Sequence, residues 1–236
     1  MPRTLTVPGR CNGPVGRGQG GYVGGLLAGV LGGPTATANL RAPVPLDAPL
    51  RVEEGEDGAL RLLDGETTVA DAARSPDLPA AAPRASLAEA RRARAAYRGP
   101  TDGPLGSCFV CGRTRPDSLG VFAGELPGRG LVASPWAPPD WADDGDGAVR
   151  LELLWAVLDC PTYFAAYMGR EETLAFLVRQ TVTVHAPVPA AGEHVLVAWP
   201  LGLEGRKADA GAALLSASGE VLASCRALLV EPRPRP

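Results

Sequence analysis

Two short stretches hold groups able to do chemistry. Gln19-Gly20-Gly21 stands at the start of the apolar run GYVGGLLAGVL, and Asp159 lies deep inside a second apolar run, VRLELLWAVLDCPTYFAAYM. Backbone N–H groups at a helix N-terminus, aided by the helix dipole, can stabilise an oxyanion. Glycines there let a ligand approach those amides closely. A carboxylate placed opposite can activate water as a general base or attack a carbonyl itself. Gly16, Gly18 and Gly21 also satisfy G-x-G-x-x-G, but a dinucleotide site needs a buried strand before it and an acidic residue about 20 residues on. TLTVPGRCNGPV is broken by Pro8, Gly9, Gly13 and Pro14, and ATANLR at 36–41 holds no Asp or Glu. Both conditions fail, so the glycines serve something else.

Other constellations are less complete. Cys108-Phe-Val-Cys111-Gly112 has zinc-knuckle or redox spacing. With no second pair beside it, three readings stand: reduced structural thiols before a turn, a metal half-site shared with Cys160, Cys225 or another chain, or a redox pair. PPDWADDGDGA carries Asp140, Asp143, Asp144 and Asp146 but lacks the sixth-position Gly and terminal Glu of a calcium loop. It reads as a solvated loop capping the second helix. His185 and His194 are isolated. Pro161 cannot donate to the carbonyl of Val157, so the second helix is expected to bend or end there.

The elements that position these groups follow from composition and pattern. The chain has 236 residues, 45% of them hydrophobic, with a formal charge of −3. That argues for one large or two ordinary domains with buried cores, and against disorder. The absence of a basic stripe excludes the electrostatic footprint of a nucleic-acid binder. No window approaches about 18 uninterrupted apolar residues, so no membrane association is expected. MPRTLTVPGRCNG lacks the apolar region of a secretory signal, and five irregularly spaced cysteines fit a reducing compartment. A cytoplasmic protein is expected.

The chain repeats itself. Ala42-Pro-Val-Pro45 recurs as Ala186-Pro-Val-Pro189, 144 positions on, each time after an apolar helix candidate (21–31 and 149–168). Two further strand-like runs follow each copy, with turns at Gly55, Asp57 and Gly58 and at Ser218-Gly219. The predicted order is helix then three antiparallel strands, twice. SPDLPAAAPRASLAEARRARAAYRGPTDGP separates the halves, and Ser86-Leu-Ala-Glu89 predicts a capped, polar surface helix at 87–97. The expected division is an N-terminal half over 1–80 with a short helix near 20–31, a linker over 81–103, and a C-terminal half over 104–236 with a long helix near 148–168. That long helix is apolar on two faces, Leu151, Leu154, Trp155, Leu158 and Leu153, Val157, Cys160, Phe164, and so is predicted to be buried all round. An α+β fold with a curved antiparallel sheet around the helices follows.

On three pieces the chain resembles the hotdog superfamily in its tandem form, and within it the acyl-CoA thioesterase-like proteins. Gln19-Gly20-Gly21-Tyr22 is similar to the His-Gly-Gly start of a hotdog helix, with Gln19 in place of histidine. Leu158-Asp159 resembles the carboxylate position on the facing helix. Glu204-Gly205-Arg206-Lys207 with Gly219-Glu220-Val221-Leu222-Ala223 resembles the closing strands. The resemblance implies two pseudo-two-fold-related hotdog halves and one composite site. There, in a site built from Gln19, Gly20 and Gly21, the helix-N-terminal amides of the Gly-Gly pair polarise a thioester carbonyl, and Asp159 acts as general base or nucleophile. In some tandem thioesterases a threonine works with an aspartate and a glutamine. Thr181 and Thr183 stand at that place as substrate-contact candidates, but no glutamine follows Gln180, and they read equally as β-formers. Arg206 and Lys207 are candidates for CoA phosphates, at most one of them facing a given pocket, because adjacent strand residues alternate.

The first helix carries no carboxylate, and the second half has no Gly-Gly pair, only Asp144-Gly-Asp-Gly147. One active site at most is expected. The resemblance implies a CoA thioester as substrate or ligand, no metal or redox cofactor, and a monomeric double hotdog or a homodimer of them. It leaves open whether the thioester is hydrolysed or only bound by an inactive acyl-binding or assembly protein. A dehydratase ranks last, since neither histidine lies near a helix.

Overall fold

The computed structural model describes residues 3–170 and 173–233. After a short strand, β1 (Arg3–Leu5), helix α1 spans Gly20–Leu31 and is followed by β2 (Thr35–Leu40), β3 (Leu50–Glu54), β4 (Leu60–Asp64) and β5 (Thr67–Arg74). Helix α2 (Leu87–Ala95) leads to β6 (Gly124–Leu126), β7 (Leu131–Trp136) and a 3-10 turn at Asp140–Ala142. Helix α3 (Leu151–Ala166) precedes β8 (Phe176–Val184), β9 (His194–Glu204), β10 (Lys207–Leu215) and β11 (Val221–Val230). Four strands therefore follow each helix, where the sequence pattern suggested three. The extra boundaries are the tight turns through Gly65 and Gly205, whose φ values of 58° and 56° are left-handed. Turns this short interrupt the apolar pattern by only two residues.

All the strands form one sheet in the order β1-β3-β4-β5-β2-β8-β11-β10-β9-β7-β6. The order is mirrored about the β2–β8 pair: β2 with β8, β5 with β11, β4 with β10 and β3 with β9. Thr37 faces Thr181 in this antiparallel pairing, and their Oγ1 atoms lie 2.7 Å apart. Their separation of 144 residues equals the offset of the Ala-Pro-Val-Pro repeat. The internal repeat is thus a pseudo-two-fold axis passing between these two threonines.

Alternation along the C-terminal strands separates two cores. Val132, Leu196, Ala198, Ala212 and Leu214 belong to the main core with both long helices, while Leu131, Ala133, Val195, Val197, Ala213 and Leu215 face the other way, onto Ala90 and Ala93 of α2. The period of two puts neighbouring residues on opposite faces. Helix α2 carries the expected capping box between Ser86 and Glu89. It is not simply a surface helix: two of its alanines, Ala90 and Ala93, are buried and cover the outer face of β7 and β9. The linker before it crosses the same outer face at the dyad, where Leu78 N–H donates to Thr183 Oγ1 and Ser224 Oγ donates to the Pro79 carbonyl.

Inside the sheet α1 and α3 touch along glycines. A Cβ at Gly25 would sit 2.5 Å from Cα of Glu152, and one at Gly24 2.8 Å from the Trp155 ring. Backbones this close exclude any side chain. Leu153 through Leu158 are buried on every side of α3, as its two apolar faces predicted. The helix runs on past Pro161 to Ala166 instead of ending there. The four-aspartate loop does not cap it: Asp143 and Asp144 accept from the amides of Gly145, Asp146, Gly147 and Ala148 within their own loop, and the α3 N-cap, Arg150, makes no side-chain cap bond.

Candidate active site

Gln19 is the N-cap of α1. Its backbone is extended, and its side-chain Oε1 accepts from Tyr22 N–H at 2.6 Å. That bond fixes which end of the amide is which, because Oε1 must face the Tyr22 donor. Nε2 is therefore turned to α3, where it donates to Asp159 Oδ2. Gly21 N–H donates to the same oxygen at 3.2 Å. The carboxylate of one half thus closes the helix N-terminus of the other. A side chain at position 21 would not permit this: its Cβ would lie 2.6 Å from the carbonyl oxygen of Trp155 and 2.8 Å from Cβ of Asp159.

Asp159 is 7% exposed. Burial pushes its carboxyl up to about 7, against the stabilising pull of the Gly21 N–H and the Gln19 amide, while charge on Cys108 adds to the rise. Both donors engage Oδ2, and among the described residues Oδ1 takes part in no hydrogen bond. The Gly20 N–H likewise finds no acceptor among the described residues, as the first amide of a helix has no intrahelical partner.

Gln19, Gly20 and Asp159 line a cavity of about 500 Å³ whose wall is otherwise mostly apolar, with Leu177, Tyr163 and Phe164 prominent. That size and character suit a small organic ligand. Arg17 stands at its rim, exposed, and forms no ion pair among the described residues; Arg41, also at the rim, is paired with Asp71. Neither arginine stood out in the sequence, where nothing marks a cation as rim-facing.

Three thiols complete the wall. Cys108, Cys111 and Cys160 all line the cavity, and their sulfur atoms lie within 4.8 Å of one another, Cys108 Sγ being 3.7 Å from Cys160 Sγ. The loop that carries the first two is anchored to the N-terminal half and to the linker: Phe109 N–H donates to the Asn12 carbonyl and Tyr97 Oη to the Cys111 carbonyl. Cys108 is held well below the usual thiol range because it accepts from the other two thiols and from Val110 N–H. Cys160 neighbours Asp159 in sequence, yet its convergence with the other pair depends on α3 docking against that loop.

Of the residues singled out by sequence, the structure brings together Gln19, Gly20, Gly21 and Asp159. Thr181 lies elsewhere. Gln180 points inward, its amide donating to the Trp155 carbonyl, so Thr181 faces the outer side of the sheet, bonded to Thr37. Arg206 sits in the β9–β10 turn and donates to the Glu231 carbonyl. Lys207 opens β10, exposed. Neither lines the cavity. His185 is bonded to Ser224, and His194 to the Pro189 carbonyl; both are outside the cavity wall.

Comparison with solved structures fits this architecture. A protein of unknown function with a hot dog fold from Alicyclobacillus acidocaldarius superposes with a TM-score of 0.55 at 15% identity, covering 93% of this chain and 89% of that one. The fold is a tandem hotdog. The tesB protein of Mycobacterium avium subsp. paratuberculosis shares the tandem hotdog at a TM-score of 0.61 and 13% identity, over 97% of this chain and 91% of its own. An acyl-CoA thioesterase II from Mycobacterium marinum does so at 0.56 and 13%, over 91% of each chain. No protein-family model and no curated protein sequence matches the chain. In this tandem hotdog, as the mirrored strand order requires, α1 and α3 are the two hotdog helices, and the polar site lies where they meet. Among the described residues no helix is long and apolar enough to cross a membrane.

Proposed function

We propose that the protein hydrolyses a CoA thioester in the cavity between its two hotdog halves. The observation that carries this reading is the carboxylate of Asp159, oriented through Oδ2 by Gln19 and Gly21, with Oδ1 unbonded among the described residues at the same mostly apolar cavity that Gly20 lines. In this mechanism Asp159 takes a proton from water as the water oxygen attacks the thioester carbon. The carbonyl electrons move onto oxygen, which the Gly20 N–H and the α1 dipole stabilise. Collapse re-forms the carbonyl, breaks the carbon–sulfur bond and returns the proton to the departing thiolate. Gln19 and Gly21 are positioning residues: they hold the carboxylate and do not touch the acyl group. The acyl chain lies against Leu177 and Phe164, and Arg17 at the rim meets a CoA phosphate. The relatives of known fold that are described as thioesterases support the same reaction class, and the fold of the chain supplies both halves of the site without a second copy.

A second reading, acyl-CoA binding without turnover, is favoured by one observation. Gly21 N–H is committed to Asp159, which leaves a single helix amide for an oxyanion. A panel of aryl, medium and long acyl-CoA esters assayed by thiol release separates the two. Turnover by the wild type that Asp159→Ala abolishes supports hydrolysis; binding of an acyl-CoA without any turnover establishes the second reading.

A further inference from the structure

We propose that Cys108, Cys111 and Cys160 bind one zinc ion at the inner wall of the cavity, leaving its fourth coordination position open to whatever the cavity holds. Tetrahedral zinc with Zn–S bonds of about 2.3 Å places its sulfur ligands about 3.8 Å apart. Cys108 and Cys160 already stand at 3.7 Å, and Cys111 lies within 4.8 Å of both. Reaching the zinc spacing asks Cys111 Sγ to move by at most about 1 Å. The loop has the build of a metal knuckle: Val110 N–H is directed at Cys108 Sγ, 3.4 Å away, and Gly112 N–H turns back to the Cys108 carbonyl at 2.8 Å. Amide donors aimed at sulfur stabilise a thiolate ligand and fix its direction.

Two elements far apart in sequence bring these thiols to one point. Cys108 and Cys111 come from the anchored loop, and Cys160 from α3. The other two cysteines are placed differently: Cys225 takes a hydrogen bond from the Gln180 amide, and neither it nor Cys11 belongs to the cluster. Three soft sulfur donors select zinc over magnesium or calcium. Among the described residues no fourth His, Cys, Asp or Glu donor joins the group, and all three cysteines face the cavity. The last position therefore takes water or a thiol-bearing ligand from the cavity, the arrangement of an open zinc site. Binding exchanges the thiol protons for the metal, so each thiol that enters as S–H releases one proton.

The full-length protein, purified reduced and stripped with a chelator, is titrated with cobalt and then with zinc. The expected result is thiolate-to-cobalt charge-transfer absorption saturating at one cobalt per chain and abolished by one equivalent of zinc. Cys108→Ser, Cys111→Ser and Cys160→Ser lose it; Cys11→Ser keeps it. Absence of the absorption in the wild type, or its retention in Cys160→Ser, overturns the proposal. So does a wild-type mass lower by two hydrogens after purification under reductant, with peptide mapping that links two of Cys108, Cys111 and Cys160 as a disulfide. Because the wild-type titration decides alone, misfolding of a serine variant does not leave the question open. The readout is metal stoichiometry, and its failure leaves the thioesterase reading untouched.

Discussion

Gly21 N–H donates to Asp159 Oδ2 at 3.2 Å, and the α-carbon of Gly21 lies so close to α3 that a Cβ would stand 2.6 Å from the Trp155 carbonyl oxygen. One glycine both closes the helix pair and orients the carboxylate. Gly21→Ala is expected to destabilise the protein by about 1–3 kcal/mol, because backbone atoms of α3 must give way, and to lower activity through displacement of Asp159. Gly29→Ala in the same helix is the opposite case. It is exposed with nothing near its Cβ position, and helix propensity predicts a gain of about 0.5–1 kcal/mol. Chemical denaturation of both variants checks the pair of signs.

Gly20→Ala separates binding geometry from stability. Its Cβ would meet Leu177 Cδ2 at 2.9 Å, the mobile end of a side chain that can swing aside. Stability is expected to change by less than about 1 kcal/mol, while kcat/KM for acyl-CoA falls by about 10-fold or more because the methyl stands between substrate and the free amide. Steady-state kinetics beside a thermal melt tests this. Equal activity to wild type would remove the Gly20 amide from the mechanism.

Asp159→Ala is expected to reduce thiol release by about 10²–10⁴-fold, the usual worth of a general base. Gln19→Ala, which leaves Asp159 in place but frees it to turn, is expected to fall between that variant and wild type. If Gln19→Ala were the more severe of the two, the amide and not the carboxylate would be the group that acts on the substrate.

Thr181→Val tests the outer-face placement of the dyad threonine. It loses the hydrogen bond to Thr37 while Thr37 keeps Ser75 as a partner. A cost of about 0.5–1.5 kcal/mol with unchanged kcat and KM is expected. A fall in kcat would return Thr181 to the site.

Arg17→Ala is expected to raise KM for CoA esters several-fold and to leave a short thioester lacking the nucleotide unaffected, since a rim cation acts on the phosphates alone. Arg206→Ala, whose guanidinium is bound to the Glu231 carbonyl away from the cavity, leaves KM unchanged.

The sequence by itself determined the local and the repeated. The apolar runs at 21–31 and 149–168, the capping box at Ser86 and the 144-residue repeat are all patterns within a few residues or copied at a fixed offset, whereas the pairing of the Gly-Gly helix start with Asp159 came only from the family resemblance. Helix burial was legible too, because α3 is apolar on every side. What tertiary structure decided was which groups meet and which are already spent. Gln19 and Asp159 are 140 residues apart, Cys108 and Cys160 are 52 apart, and no periodicity carries their distance. Strand alternation gives two faces but not which one is inward; the Gln180 amide pointing at the Trp155 carbonyl is what turns Thr181 outward. The Gly20 and Gly21 amides look alike in the chain. Only the docking of α3 commits one to Asp159 and leaves the other to the cavity, because hydrogen-bond partners at a helix N-terminus come from whatever packs against it.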